Sequence, residues 1–117
     1  MNTALTQKKC QPCEGTEKAL SSKEVSEKLK QISNWQVGGN HKIITKEFIT
    51  KNFMAAIEFI NKIAKLAEEE GHHPDIHLTS YRRVKINLST HAIDGLSEND
   101  FILAAKIDQL PVELKKI

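Results

Sequence analysis

Three of the five histidines, His72, His73 and His91, fall where an element of secondary structure is about to end, and element ends are where clefts open. Imidazole titrates near neutrality, so two or three histidines around one cavity supply both a proton donor and a proton acceptor at working pH. Proton transfer by general acid and base is the chemistry this constellation suits. The run Glu68-Glu69-Glu70 stands just before the pair, at a helix end where the macrodipole already places negative charge. That placement is unfavourable by about a few tenths of a kcal/mol. A carboxylate there either acts on a neighbouring imidazole, hydrogen-bonds a ligand, or is simply a solvated helix end. His41 follows a turn and His77 lies inside a strand pattern, so both read as surface or packing residues.

A metal centre is the competing use of these imidazoles, and the spacing argues against it. Pro74 prevents His73 and His77 from sharing a helix face, and in a strand they would stand roughly 13 Å apart, too far for one zinc. No metal is expected. A serine nucleophile elbow, a phosphate-binding P-loop and a dinucleotide G-x-G-x-x-G are all missing from the sequence, so no nucleotide cofactor is expected either.

The elements that must position these residues are legible from periodicity. Ser21-Ser22-Lys23-Glu24 reads as a capping box, and Val25, Leu29 and Ile32 follow at helical spacing, which predicts a helix to about Ser33. Trp35 and Val37 lead into Gly38-Gly39-Asn40, a turn signal, and a β-hairpin is expected over roughly residues 34 to 49. From Asn52, residues Phe53, Ala56, Ile57, Ile60, Ile63, Ala64 and Ala67 repeat at three- and four-residue steps, the stripe of a long amphipathic helix. Gly71 marks its end and Pro74 cannot continue it. Ile76 to Ser80 reads as a strand; Val84, Ile86 and Leu88 alternate with polar residues as a second, which extended places His91 on the polar side. Ser97-Glu98-Asn99-Asp100 resembles a capping box before a last helix that ends by Pro111. The order α-β-β-α-β-β-α implies an α+β domain, a four-stranded antiparallel sheet covered on one face by helices.

Composition bounds the remainder. At 117 residues and 39% hydrophobic the chain has the content of one compact domain, expected over residues 21–117. Residues 1–20 carry no sustained apolar period, so they read as a loosely ordered leader, or one pinned by a few contacts, and as a poor place for chemistry. Within it Cys10 and Cys13 form a single C-x-x-C with no second ligand pair, read as an ordinary pair before a redox or zinc site. Seventeen basic residues against fifteen acidic ones give a formal charge of +2, too even to predict nucleic acid or an anionic membrane as partner. No apolar run approaches a membrane span and the N-terminus shows no secretory h-region, so a soluble, cytoplasmic protein is expected.

Glu68-x-x-x-His72-His73-Pro74, then Tyr81, then Ser89-Thr90-His91, then Asp100, resembles the signature of the pterin-4a-carbinolamine dehydratases. The likeness extends through Trp35, Lys51-Asn52-Phe53 and Gly95-Leu96-Ser97, and so covers about residues 20 to 110. The Cys-x-x-Cys leader is similar to that of bacterial members. The resemblance implies an α+β subunit whose sheet edges pair into homodimers and often homotetramers, with neither metal nor organic cofactor. It implies a hydro-lyase acting on the 4a-hydroxytetrahydropterin released by aromatic amino acid hydroxylases such as phenylalanine hydroxylase, and giving the quinonoid dihydropterin that a reductase recycles. Carried onto this chain, His72, His73 and His91 would surround the pterin C4a and N5 as acid and base. Gly71, Ser89, Thr90, Ala92 and Trp35 would contact substrate, and Glu68 or Asp100 would orient an imidazole, Asp100 being equally a helix cap. Animal members also serve as dimerisation cofactors of a homeodomain transcription factor, so the alternative is a non-catalytic module of the same fold. Two departures weigh against that role here: Gly71 stands where animal members carry an acidic residue, and the segment from Pro74 to Tyr81 is one residue longer, as in bacterial relatives.

Overall fold

The computed structural model describes residues 4–12 and 18–116. Helix α1, Ser22–Leu29, begins on the expected capping box: the Ser21 hydroxyl accepts from the Glu24 amide, and the Glu24 carboxylate accepts from the Ser21 amide. It stops four residues before the expected end. Gln31 and Ile32 donate three residues back, to Lys28 and Leu29, and Asn34 turns left-handed at φ 64°, which tightens the last turn and reverses the chain into the sheet.

Strands β1, Gln36–Gly38, and β2, Ile43–Ile49, form the hairpin, with Gly39, Asn40 and His41 at positive φ in its turn. Helix α2, Phe53–Glu70, is capped by the Asn52 side chain accepting from the Ala55 amide, and buries Ala56, Phe59, Ile63 and Ala67 along one stripe. Strands β3, Asp75–Thr79, and β4, Arg83–Leu88, come next, and helix α3, Glu98–Asp108, closes the domain. The sheet order is β1-β2-β4-β3 and every pair is antiparallel. The expected α+β architecture is therefore the observed one.

Ile44 and Phe48 of β2 with Val84, Ile86 and Leu88 of β4 form the buried face of the sheet. Against it pack α2 and α3, with the Phe48 and Phe59 rings edge-on at 4.8 Å. Alternate residues Glu47 and Lys85, paired across β2 and β4, face outward. No helix among the described residues is long and apolar enough to cross a membrane.

The leader is better anchored over residues 4–12 than its composition suggests. Leu5, in a short 3-10 turn Leu5–Gln7, and Cys10 are both buried in the main core. Two apolar side chains spaced by five residues leave no helical or strand period, which is why the sequence carries no sign of it. Cys13 lies outside the described residues.

Gly71 controls the direction in which the chain leaves α2. Its φ of 67° is left-handed, its amide returns to the Ala67 carbonyl at 2.9 Å, and the His72 amide reaches the same carbonyl at 3.3 Å. Apart from its own chain neighbours, no residue comes within 4 Å of where a Cβ would stand, so a substitution there meets conformational strain alone. Gly71→Ala is expected to lower unfolding free energy by about 1–2 kcal/mol, read as a lower urea midpoint at unchanged slope. An unchanged midpoint would show that the left-handed turn does not constrain this helix end.

Candidate active site

Three chain segments converge where α2, β4 and α3 meet. Gly71 turns His72 and His73 off the end of α2. Beyond β4, Ser89 and Thr90 continue extended, and Thr90 pairs with Gly95 across a short 3-10 turn, His91–Ile93. His91 therefore sits at the start of that turn, not on the polar side of a continuing strand, because the chain must double back to reach α3. Gly71, His72, His73, Ser89, Thr90, His91 and Ala92 line one cleft of about 280 Å³, together with Gln11 and Asn99.

Asp100 organises the cleft from beneath. Its carboxylate is fully buried, and Oδ2 accepts from the Thr90 hydroxyl at 2.8 Å and the Ser97 amide at 3.0 Å. Oδ1 stands 2.6 Å from His72 Nε2. A carboxylate already accepting two bonds is best completed by a third donor, which assigns the proton of this contact to His72 Nε2 and leaves Nδ1 as the other ring nitrogen. Asp100 is thus both the N3 residue of the capping box and the partner of an imidazole. His73, half out in solvent, lies 2.7 Å by Nε2 from Glu68, which holds the ring from the last turn of α2. His91 is exposed at the rim.

Trp35 is not part of this cleft. It is buried with Nε1 donating to Asp108 at 3.0 Å, and Lys46 bridges the same carboxylate at 2.7 Å. Asp108 is eight residues along α3 from Asp100, or about 12 Å at 1.5 Å per residue, so Trp35 anchors the opposite end of the helix. His41 lies in the β1–β2 turn and His77 on the exposed side of β3. Among the described residues no group of three or more His, Cys, Asp or Glu is placed to hold a metal ion.

The chain has relatives among known proteins. The family model described as pterin 4 alpha carbinolamine dehydratase matches residues 18–110. The chain belongs to that family. A protein of Nitrosospira multiformis, provisionally named pterin-4-alpha-carbinolamine dehydratase, is 45% identical over 91% of this chain and 91% of its own length. The Arabidopsis thaliana mitochondrial pterin-4-alpha-carbinolamine dehydratase 2 is 40% identical over 93% of this chain, which spans 60% of that relative's length. Among solved structures, a Brucella melitensis protein described as a transcriptional coactivator/pterin dehydratase superposes with a TM-score of 0.72 at 33% identity, over 77% of this chain and 95% of that one. A second, described as a pterin dehydratase-like protein identified as a RuBisCO assembly factor in the alpha-carboxysome, gives 0.55 at 26% identity, over 64% and 86%. The family's named reaction makes its enzymes lyases.

Two residues of this dehydratase-family cleft carried no signal in the sequence, Gln11 and Asn99. Asn99 is buried beside Asp100, and its carboxamide holds the backbone of Gln11. The same strap is tied by Glu70, whose carboxylate accepts from the Cys10 amide at 2.9 Å and pairs with Lys106 at 2.9 Å. Burial raises the Glu70 pKa, but the Cys10 amide and Lys106 together outweigh it and hold the carboxyl below its ordinary 4.5. Burial, reinforced by the Glu70 charge, pushes the Cys10 thiol up to about 12, so it is a protonated donor to the Asn99 carbonyl at 3.5 Å.

Because the folded Glu70 pKa is depressed, its contribution to holding the strap is present above the unfolded value and is lost as pH falls through the folded one. The Cys10 amide resonance should accordingly titrate with a midpoint below 4.5, and lose that titration in Glu70→Gln. A midpoint at or above 4.5 in the wild type would contradict the ion-paired, hydrogen-bonded state.

Proposed function

We propose that this chain dehydrates a 4a-hydroxytetrahydropterin to the quinonoid dihydropterin, with its three cleft histidines as acid and base. The observation that carries this reading is the His72–Asp100 contact: a buried carboxylate holding one imidazole by Nε2 in a cleft that two further imidazoles line. Dehydration requires a proton delivered to the hydroxyl leaving C4a and one removed from N5, so the elements of water depart and the proton count is unchanged. His72 is suited to take the N5 proton at Nδ1, since Asp100 stabilises the imidazolium that results. His73, steadied by Glu68, and His91 stand on the cleft wall as donors to the leaving hydroxyl. Ser89, Thr90, Gly71 and Ala92 offer backbone and small side chains against which a flat bicyclic ring can lie.

In this reading the substrate comes from an aromatic amino acid hydroxylase, phenylalanine hydroxylase in the first instance, and the reaction is cytoplasmic. A homodimer or homotetramer is the proposed form, because β3 is an edge strand with one side unpaired within the described chain. No metal, organic cofactor or nucleic acid enters the proposed mechanism. The second reading is a protein-binding module of the same fold, favoured by the descriptions of the two solved relatives as a coactivator and an assembly factor.

The absorbance decay of 4a-hydroxytetrahydropterin, generated in situ by a phenylalanine hydroxylase, separates the two. Wild-type protein should accelerate the decay over buffer, and His72→Ala should lower kcat by about 10²- to 10⁴-fold, the usual worth of a positioned acid or base. His73→Ala and His91→Ala identify the proton donor by which falls further. A wild-type rate equal to that of buffer sinks the catalytic reading and leaves the module.

A further inference from the structure

We infer that Gln11, carried on a strap of residues 8–11, forms a wall of the substrate cleft, where its side chain contacts the bound pterin and Asn99 positions it; this rests on the dehydratase reading. The strap is fixed at every step. Lys8 pairs with Glu98 at 3.0 Å, Lys9 Nζ donates to the Glu69 carbonyl at 3.0 Å, and the Cys10 amide donates to Glu70. A cation on the last carbonyls of α2 is also well placed against the helix dipole.

Asn99 then clamps the next residue at both ends. Its Oδ1 accepts from the Gln11 amide at 2.9 Å, and its Nδ2 donates to the Gln11 carbonyl at 2.6 Å, the pair of bonds a neighbouring β-strand would make. Asn99 is itself buried on the first turn of α3, one residue from Asp100. The carboxylate that sets His72 and the carboxamide that sets Gln11 are thus consecutive residues of one rigid helix end, which fixes the distance between the acid–base machinery and the wall.

With its backbone satisfied by Asn99, Gln11 has only its side chain to offer the cleft it lines. Its Nε2 donates to the Lys9 carbonyl at 3.3 Å, which leaves Oε1 as an acceptor. A reduced pterin carries N–H donors around a neutral ring. A neutral acceptor at the rim suits such a ligand, since it can bind a donor without burying a charge.

Two substitutions test the wall by different routes. Gln11→Ala removes the carboxamide and keeps both bonds from Asn99 to the backbone, whereas Asn99→Ala releases the strap. For Gln11→Ala, KM for the carbinolamine and Kd for 7,8-dihydrobiopterin should rise together by about 2- to 12-fold, the worth of one hydrogen bond, with kcat within about twofold. Asn99→Ala should raise both at least as much and speed hydrogen exchange at the Cys10 and Gln11 amides. If Asn99→Ala does not fold, Gln11→Ala alone decides. Unchanged KM and Kd in an active protein, or a fall in kcat at unchanged KM, overturns the inference and leaves the dehydratase reading standing. A wild type that neither binds dihydrobiopterin nor turns over removes both.

Discussion

A carboxylate with no exposure to water is tolerated only where donors surround it, and Asp100 is such a group. Its donors come from three segments: His72 after α2, Thr90 after β4, and Ser97 at the start of α3. Satisfying one buried side chain therefore brings together the ends of a helix and a strand and the beginning of another helix. The cleft is the space left at that junction. The amide-rich first turn of α3 adds its own favourable field to a negative charge placed there. Removing any one partner from a buried charge is costly, on the order of 3–5 kcal/mol in comparable pairs.

The rest of the molecule holds that junction still. Antiparallel register between β2 and β4 fixes where β4 ends, and the apolar stripe of α2 fixes where that helix ends over the sheet. A second carboxylate, Asp108, does at the far end of α3 what Asp100 does at the near end: it gathers Trp35 and Lys46. Helix α3 is buried along most of its length and pinned by polar contacts at both ends, so its first turn is a rigid reference for whatever binds there. The Glu70–Lys106 pair joins α2 to α3 and ties the leader to both.

Much of this is legible in the sequence because it rests on local physics. The long helix over Phe53 to Glu70, the Ser21–Glu24 and Ser97–Asp100 boxes, Gly71 and the alternation of β4 each depend on a few neighbouring residues and each appears where the sequence places it, although on α2 Phe53 and Ala64 of the expected stripe stand exposed and Phe59 joins the core instead. The gathering of His72, His73 and His91 is foreshadowed by element ends and by the family signature. The hidden part depends on tertiary contact. Trp35 belongs to the signature yet serves the core, a distinction that only its bond to Asp108 reveals. Gln11 and Asn99 are common polar residues whose role is a mutual clamp between positions 88 residues apart, and no local pattern encodes that. Periodicity alone puts His91 on a strand, because the alternation of β4 carries no mark of the turn after Thr90.

The role of His72 turns on which atom carries the proton between it and Asp100. Nitrogen-15 NMR of the histidine rings answers this directly, since the protonated and unprotonated ring nitrogens differ widely in shift. At a pH where His72 is neutral, the Nε2–H tautomer is expected, with that proton slow to exchange and lost as a slow signal in Asp100→Asn. Finding Nδ1–H with a bare Nε2 would mean that Asp100 is the donor, and the assignment of His72 as the base would be wrong.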